Sequence, residues 1–299
     1  MPDKPTDFHG LLSIVTGKLF SIPDRLCGIM RQRKLVILGS GYVARFMLSP
    51  TSFYLDVLHT SRKPNHNLSW VPPKQRLGYD LMQRDTWRNI PTDADLLWCF
   101  PAAPVEAVRE FAAGMRGLPR KLVVLGSTSA YDVLEPDSYP PPRIDESAPI
   151  DLSKPRVQGE EFLRKESGAI VLRVSGIYGP NRNPLDWIRT GRVSPSRKYV
   201  NLIHVEDLAA VCSAALERGQ DGEVYNVSDG MPRTWNEIYM NARARWKLPA
   251  IAERPIHESG KRIDTRKLRK HFGQLVHHTD LFGALDELER GRPTTATGP

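Results

Sequence analysis

No apolar run approaches the roughly 18 residues that a membrane-spanning helix needs, so no such helix is expected. Cysteine is scarce. Cys27, Cys99 and Cys212 stand far apart, and an odd count at that spacing offers neither a disulfide framework nor a metal cluster. Residues 1–10 lack a basic region followed by a long apolar core, and they carry Asp3 and Asp7. They have the marks of neither a secretory signal nor a transit peptide. A reducing, cytoplasmic setting is the expectation. Acids are outnumbered: Asp and Glu total 34 against 42 Lys and Arg, a net charge of +8. Ten bases against three acids fall in residues 241–270. Such a stretch can meet nucleic acid or an acidic partner. Without regular interleaving of aromatic residues it is read as a solvated face, and nucleic acid is not expected.

What is present is ordinary for a globular protein, with 40% hydrophobic and 25% charged residues. The 299 residues suffice for one large α/β domain with a smaller lobe. From Lys34 onward, short apolar runs alternate with amphipathic stretches. Strands are expected at 35–38, 54–59, 75–79, 94–100, 121–125, 169–174 and 224–227. Helices are expected at 42–48, 105–115, 155–166, 205–218 and 234–246. Pro155 suits a first helical position, Gly219 a stop, and Thr234 with Glu237 a capping box. Continuous apolar strands alternating with helices predict a doubly wound parallel sheet, the Rossmann-type α/β class. Residues 1–33 form an N-terminal extension, expected to pack on the body or on a protein partner. Residues 34–180, continued by 201–230, are the nucleotide-binding part. Residues 181–200 and 231–290 make a small substrate lobe, and 291–299 a loose tail.

The first strand runs into Gly39-Ser40-Gly41-Tyr42-Val43-Ala44. In this G-x-G-x-x-A pattern the first glycine allows the tight turn and the second lets the backbone approach a pyrophosphate. The small sixth residue lets a helix pack on the strand. The helix N-terminus is expected to present free N–H groups to the phosphates. At the end of the second strand NAD enzymes carry an acid for the ribose hydroxyls. Here stand Thr60-Ser61-Arg62-Lys63, with Asp56 too early. Arg62, Ser61 and Lys63 suit an anionic 2′-phosphate, so NADP is the expected cofactor ahead of NAD.

VVLGSTSAYD at 123–132, DESAPID at 145–151, KPRVQGEEFL at 154–163, LRVSGIYGP at 172–180, NLIHVEDLAA at 201–210 and GEVYNVSDG at 222–230 follow one another in order. Together with YDL at 79–81 and CFPAAP at 99–104, they resemble the extended, epimerase/dehydratase-like branch of the short-chain dehydrogenase/reductase superfamily. The resemblance covers roughly residues 34–290 and implies roles. Gly39, Gly41, Tyr42 and Val43 would hold the pyrophosphate, and Ser61 and Arg62 the 2′-phosphate. Asp80 and Leu81 would touch adenine. Phe100, Pro101 and Ala102 would line the ribose side. Ser127 falls at the catalytic Ser/Thr, four residues before Tyr131. The superfamily's Tyr-x-x-x-Lys is replaced: aligning Gly159-Glu160 puts Leu152 at the tyrosine and Arg156 at the lysine. Leu152 moves no proton, and the fixed charge and fork of Arg156 do not copy a lysine. Tyr131 is a substitute phenol or a pocket wall, Asp145 and Glu146 are acid–base groups or loop charges, and His204 is a structural histidine. The implied function is an NADP(H)-dependent oxidoreductase, or an epimerase/dehydratase-like catalyst, with a non-standard proton donor. The alternative is a catalytically inactive, cofactor-binding structural, regulatory or assembly protein.

Overall fold

The computed structural model describes residues 33–47, 54, 56–115, 119–134, 136–248, 250–251 and 259–291. The expectations for residues 1–32 and for the tail beyond 291 lie outside them.

Seven strands form the central sheet: β1 (Lys34–Leu38), β2 (Asp56–Ser61), β3 (Arg76–Gly78), β4 (Ala94–Trp98), β5 (Leu122–Ser127), β6 (Ile170–Val174) and β7 (Val224–Val227). All pairings are parallel, in the order β7-β6-β5-β4-β1-β2-β3. The continuous apolar character of β1 has a direct cause, since both faces are covered. Leu35 and Ile37 enter one core with Leu97, Val123 and Leu208, while Val36 and Leu38 enter the other with Trp98, Phe111 and Leu163. On the second face lie α1 (Val105–Gly114) and α2 (Pro155–Ser167). On the first face lies α4 (Val205–Arg218); α3 (Pro184–Arg189) precedes it in the chain.

The chain leaves β1 outward to β2 and β3, then crosses back to β4. That reversal opens a crevice beyond the C-terminal ends of β1 and β4, where ligands bind in open α/β sheets. Three close approaches shape its rim. A Cβ on Gly159 of α2 would lie 1.9 Å from the Ala102 carbonyl oxygen, so only glycine lets α2 reach the loop after β4. Gly39 has φ +78°, the left-handed region that favours glycine. Gly126 near the end of β5 lies against the Glu160 carboxyl, where a Cβ would be 2.7 Å from Oε2.

A smaller core gathers Tyr178, Leu185, Ile188, Ile238, Leu281 and Leu285. It joins α3, α5 (Trp235–Trp246) and α7 (Leu281–Arg290). The capping box of α5 is formed: Thr234 Oγ1 accepts from Glu237 N–H and Glu237 Oε2 from Thr234 N–H. Between α5 and α7, α6 (Arg266–Phe272) turns back to the main core through Leu268 and Phe272. Short strands tie the late segments together, pairing Gly176–Tyr178 with Leu202–His204 and Arg143–Ile144 with Arg262–Ile263.

Three expectations about local structure need correction, the simplest being the fourth strand, which ends at Trp98 and leaves Cys99 and Phe100 in the loop after it. After the glycine turn there is one turn of 3-10 helix, Val43–Phe46, in place of a helix over 42–48; Leu48 lies outside the described residues. The second strand begins at Asp56, two residues later than expected, so Ser61 ends it and Arg62 follows at once. No helix among the described residues is long and apolar enough to cross a membrane.

Candidate dinucleotide-binding site

The crevice holds a cleft of about 780 Å³. Gly39, Ser40, Gly41 and Tyr42 form its floor, with Phe100, Tyr79 and Leu81 on the β3–β4 side. The cleft continues at one end past Arg62, Lys63, Asn67, Asp80 and Gln83. At the other end it reaches a chamber of about 230 Å³ with Val43, Pro101, Gly126, Arg156 and Arg182 in its wall. The expected cofactor residues Gly39, Gly41, Tyr42, Val43, Ser61, Arg62, Asp80, Leu81, Phe100 and Pro101 therefore line one continuous trough. Ala102 does not. It is 1% exposed and packs under α2 against Gly159.

The turn is stitched to β2 by its own polar atoms. Gly39 N–H donates to Thr60 Oγ1 at 2.9 Å, and Ser40 N–H donates to the Thr60 carbonyl at 3.0 Å. Ser40 Oγ donates to the Ile37 carbonyl, accepts from Thr60 N–H and lies 3.2 Å from His59 Nδ1. Burial pushes the His59 imidazolium down to about 4, so this partner is neutral near pH 7. The serine of G-S-G thus fixes the turn. Above Gly41 there is open space: a Cβ there would meet only the Gly39 carbonyl oxygen, at 3.9 Å. The amides of Tyr42 and Val43 find no acceptor among the described residues. Free amides over an unobstructed glycine fit a pyrophosphate, although one 3-10 turn supplies little of the dipole expected from a full helix.

At the β2 end, Ser61 Oγ accepts from Asn67 Nδ2 at 2.8 Å and from Lys63 N–H at 3.2 Å. Arg62 and Lys63 are exposed and aimed along the trough rim. Asp56 is at the opposite end of β2, so no acid stands at the strand's C-terminal end. Asp80 lines the rim, with one carboxylate oxygen accepting from Met82 N–H.

At the chamber end, Arg156 Nη2 donates to Ser129 Oγ at 2.6 Å, and Ser129 Oγ lies 3.5 Å from Ser127 Oγ. Ser127 and Arg156 are thus brought together through Ser129, a residue that sequence reasoning did not single out. Lys154 Nζ donates to the Ser129 carbonyl at 2.8 Å and to Asp132 at 2.7 Å. Leu152 is 55% exposed and carries no chemistry. Tyr131 is fully buried: its hydroxyl donates to Asn226 Oδ1 at 2.8 Å and accepts from Arg173 Nη1 at 2.9 Å. Burial raises its phenol. It is neither a pocket wall nor poised to pass a proton into the cleft, because both sides of its hydroxyl are engaged in the core. Tyr42 does face the cleft, but its hydroxyl donates to the Pro180 carbonyl at 2.9 Å, and burial pushes it up to about 12.

The remaining candidates have structural partners. Glu146 Oε1 accepts from Asn226 N–H at 2.7 Å, and Asp145 caps Ser147. His204 ends its strand, caps α4 through Glu206 N–H and stacks on His278 at 3.9 Å. Burial pushes its imidazolium down to about 4.

No family profile matches the chain. Among curated proteins it is 27% identical over 126 residues to Protein YeeZ of Escherichia coli K12, a match spanning 40% of this chain and 46% of that protein. The matched stretch is thus under half the length of that relative. Among solved structures it superposes on dTDP-glucose 4,6-dehydratase from Bacillus anthracis str. Ames, in complex with NAD, with TM-score 0.68 and 16% identity over 87% of this chain and 97% of that one. It superposes on a short-chain dehydrogenase/reductase superfamily protein from Agrobacterium tumefaciens with bound NAD with TM-score 0.68 and 15% identity, over 86% of this chain and 96% of that one. At such identities the likeness shows the fold. The chain has the Rossmann-like α/β fold of the extended short-chain dehydrogenase/reductases, the fold on which the epimerase/dehydratase enzymes are built.

Proposed function

We propose that the chain is an NADP(H)-binding protein of the epimerase/dehydratase-like or reductase-like kind, with a non-standard active site in which Leu152 and Arg156 replace the tyrosine and lysine. The observation that carries the reading is the rim of the trough at the end of β2. Ser61, Arg62 and Lys63 meet the cleft there, and no carboxylate ends the strand. A guanidinium and an ammonium favour a 2′-phosphate through charge-assisted hydrogen bonds, whereas a carboxylate would repel it. The amides of Tyr42 and Val43, over the bare Gly41, would receive the pyrophosphate. The cofactor, when bound, supplies hydride transfer. Ser127 holds a substrate oxygen, and Ser129 and Arg156 orient Ser127.

The direct test is a fluorescence titration of the full chain with NADPH and, separately, NADH. NADPH should bind at least roughly tenfold more tightly, and Arg62→Ala should remove most of that difference. Equal affinities, or no binding of either, would refute the reading.

A second reading is a cofactor-binding protein without turnover. It is favoured by the burial of Tyr131 and by Leu152 at the proton donor's position. Ser127→Ala separates the two. It should abolish turnover in an enzyme with cofactor affinity kept, and change nothing measurable in a structural or regulatory protein.

A further inference from the structure

Arg156 and Arg182 line the chamber at the end of the trough, together with Gly39, Gly41, Tyr42, Val43 and Pro101 of the glycine-turn side, and no carboxylate among the described residues lines it. Its remaining walls are largely backbone and apolar groups, among them Leu125, Val174 and Ile177.

Arg182 is placed by local structure. Residues 179–182 close on themselves, with Arg182 N–H donating to the Gly179 carbonyl at 2.9 Å and Gly179 N–H to the Arg182 carbonyl at 3.3 Å. Pro180 and Asn181 turn the corner, Asn181 at φ 63°, a combination suited to a tight turn. The next residue, Asn183, caps α3 by accepting from Leu185 N–H and donates to Glu289 at 2.6 Å. Arg182 is held between two fixed points. Its guanidinium lies 5.1 Å from the centre of the Tyr42 ring and has no acidic partner among the described residues.

Arg156, in the first turn of α2, uses one donor on Ser129 Oγ, and it too has no ion pair among the described residues. A guanidinium carries five donors, so most of its capacity is open. The acids in the neighbourhood do not neutralise this pair. Glu160, one helical turn along α2, is buried against Gly126, and neither carboxyl oxygen has a hydrogen-bond partner among the described residues. Burial pushes it up to about 7, against the pull of Arg156 and Arg173 and with the repulsion of Glu161, so near neutral pH it is only partly ionised. Glu206, whose charge reaches Tyr42, faces His204 and His278 at 3.9 and 3.8 Å.

Two positioned guanidinium groups with no ion pair among the described residues, in a partly apolar recess, suit an anion. Their planar forks match a planar, delocalised group, and the apolar walls accept its neighbouring carbon atoms. We propose that Arg156 and Arg182 form a carboxylate subsite at the chamber end of the trough, so that the substrate is a carboxylic acid anchored beside the reacting centre. The assignment rests on the trough's being a cofactor site.

Oxalate is the probe, titrated by calorimetry into the full-length protein saturated with NADPH. Saturable binding is expected, weakened roughly tenfold or more in Arg182→Leu and in Arg156→Leu and partly kept in Arg182→Lys, with the NADPH affinity of the two Arg182 variants within about threefold of the parent. Oxalate that fails to bind, or binds both leucine variants as well as the parent, would overturn the subsite. A tenfold loss of NADPH affinity in Arg182→Leu, with oxalate competing against NADPH, would overturn it as well and assign the arginines to the cofactor's diphosphate. Should NADPH not bind at all, the cofactor reading fails separately. Oxalate titrated into the cofactor-free protein then decides the subsite by the same comparison of variants.

Discussion

The two glycines of the phosphate-binding turn should respond to the same small substitution in opposite ways. At Gly39, alanine must adopt φ near +78°, a left-handed conformation costing about 1–2 kcal/mol for an L-residue. Its methyl would also lie 2.7 Å from Phe100 Cδ1. That ring has little room to retreat, because its centre is 4.8 Å from Trp98 and 6.3 Å from Tyr79. Relieving such overlap costs a further ~1–3 kcal/mol. At a conversion of about 2–4 °C per kcal/mol for a domain of this size class, Gly39→Ala should lower the melting temperature by roughly 5–15 °C. At Gly41 the backbone needs no left-handed angle, and a methyl meets only the Gly39 carbonyl oxygen at ordinary contact distance, 3.9 Å. Gly41→Ala should melt within about 2 °C of the parent, since nothing buried is disturbed. Its methyl would instead occupy the space through which a pyrophosphate approaches the amides, so NADPH affinity should fall by about tenfold or more. Thermal unfolding followed by NADPH titration of both variants decides the matter. A Gly41→Ala protein that binds NADPH like the parent, or melts as low as Gly39→Ala, would refute the geometry argued for the turn.

Further outcomes follow from buried polar groups. Glu160 has its folded-state pKa raised to about 7 from an ordinary value of 4.5, so its proton favours the folded state. Its contribution is full below about pH 4.5 and is lost as pH rises to 7, on the order of 3 kcal/mol in all. The melting temperature of Glu160→Gln relative to the parent should therefore climb across that window and level off above it; parallel pH profiles would contradict this. Tyr131→Phe leaves Arg173 and Asn226 each short of a buried partner, a loss of about 1–3 kcal/mol. NADPH affinity should be unchanged, and loss of cofactor binding with stability intact would show that the phenol serves the cleft. Thr234→Ala removes one half of the α5 capping box and should cost about 1 kcal/mol by denaturant unfolding, with no effect on NADPH.

The parallel sheet, the order of its elements and the glycine turn were legible in the sequence because each is a local pattern. Runs such as KLVIL are apolar on both faces because both are covered, and the capping residues of α5 act within one helical turn. The trough's two ends were legible in part. Arg62 follows β2 directly, and Arg156 follows from its spacing to Gly159. Other roles depended on direction and partnership, which spacing does not encode. Tyr131 and Ser127 lie four residues apart on one loop, yet the phenol turns into the core because Arg173 and Asn226, from β6 and β7, await it there. Ala102 sits between two trough residues in sequence but under α2 in space. Arg182 is one arginine among many until the fold carries the loop after Tyr178 across the sheet to Tyr42, 140 residues earlier in the chain. Short-range pattern determined which elements form and where the phosphate-binding turn lies. Long-range packing alone decided which polar groups face the cleft, because burial and a partner's charge are set by residues distant in the chain.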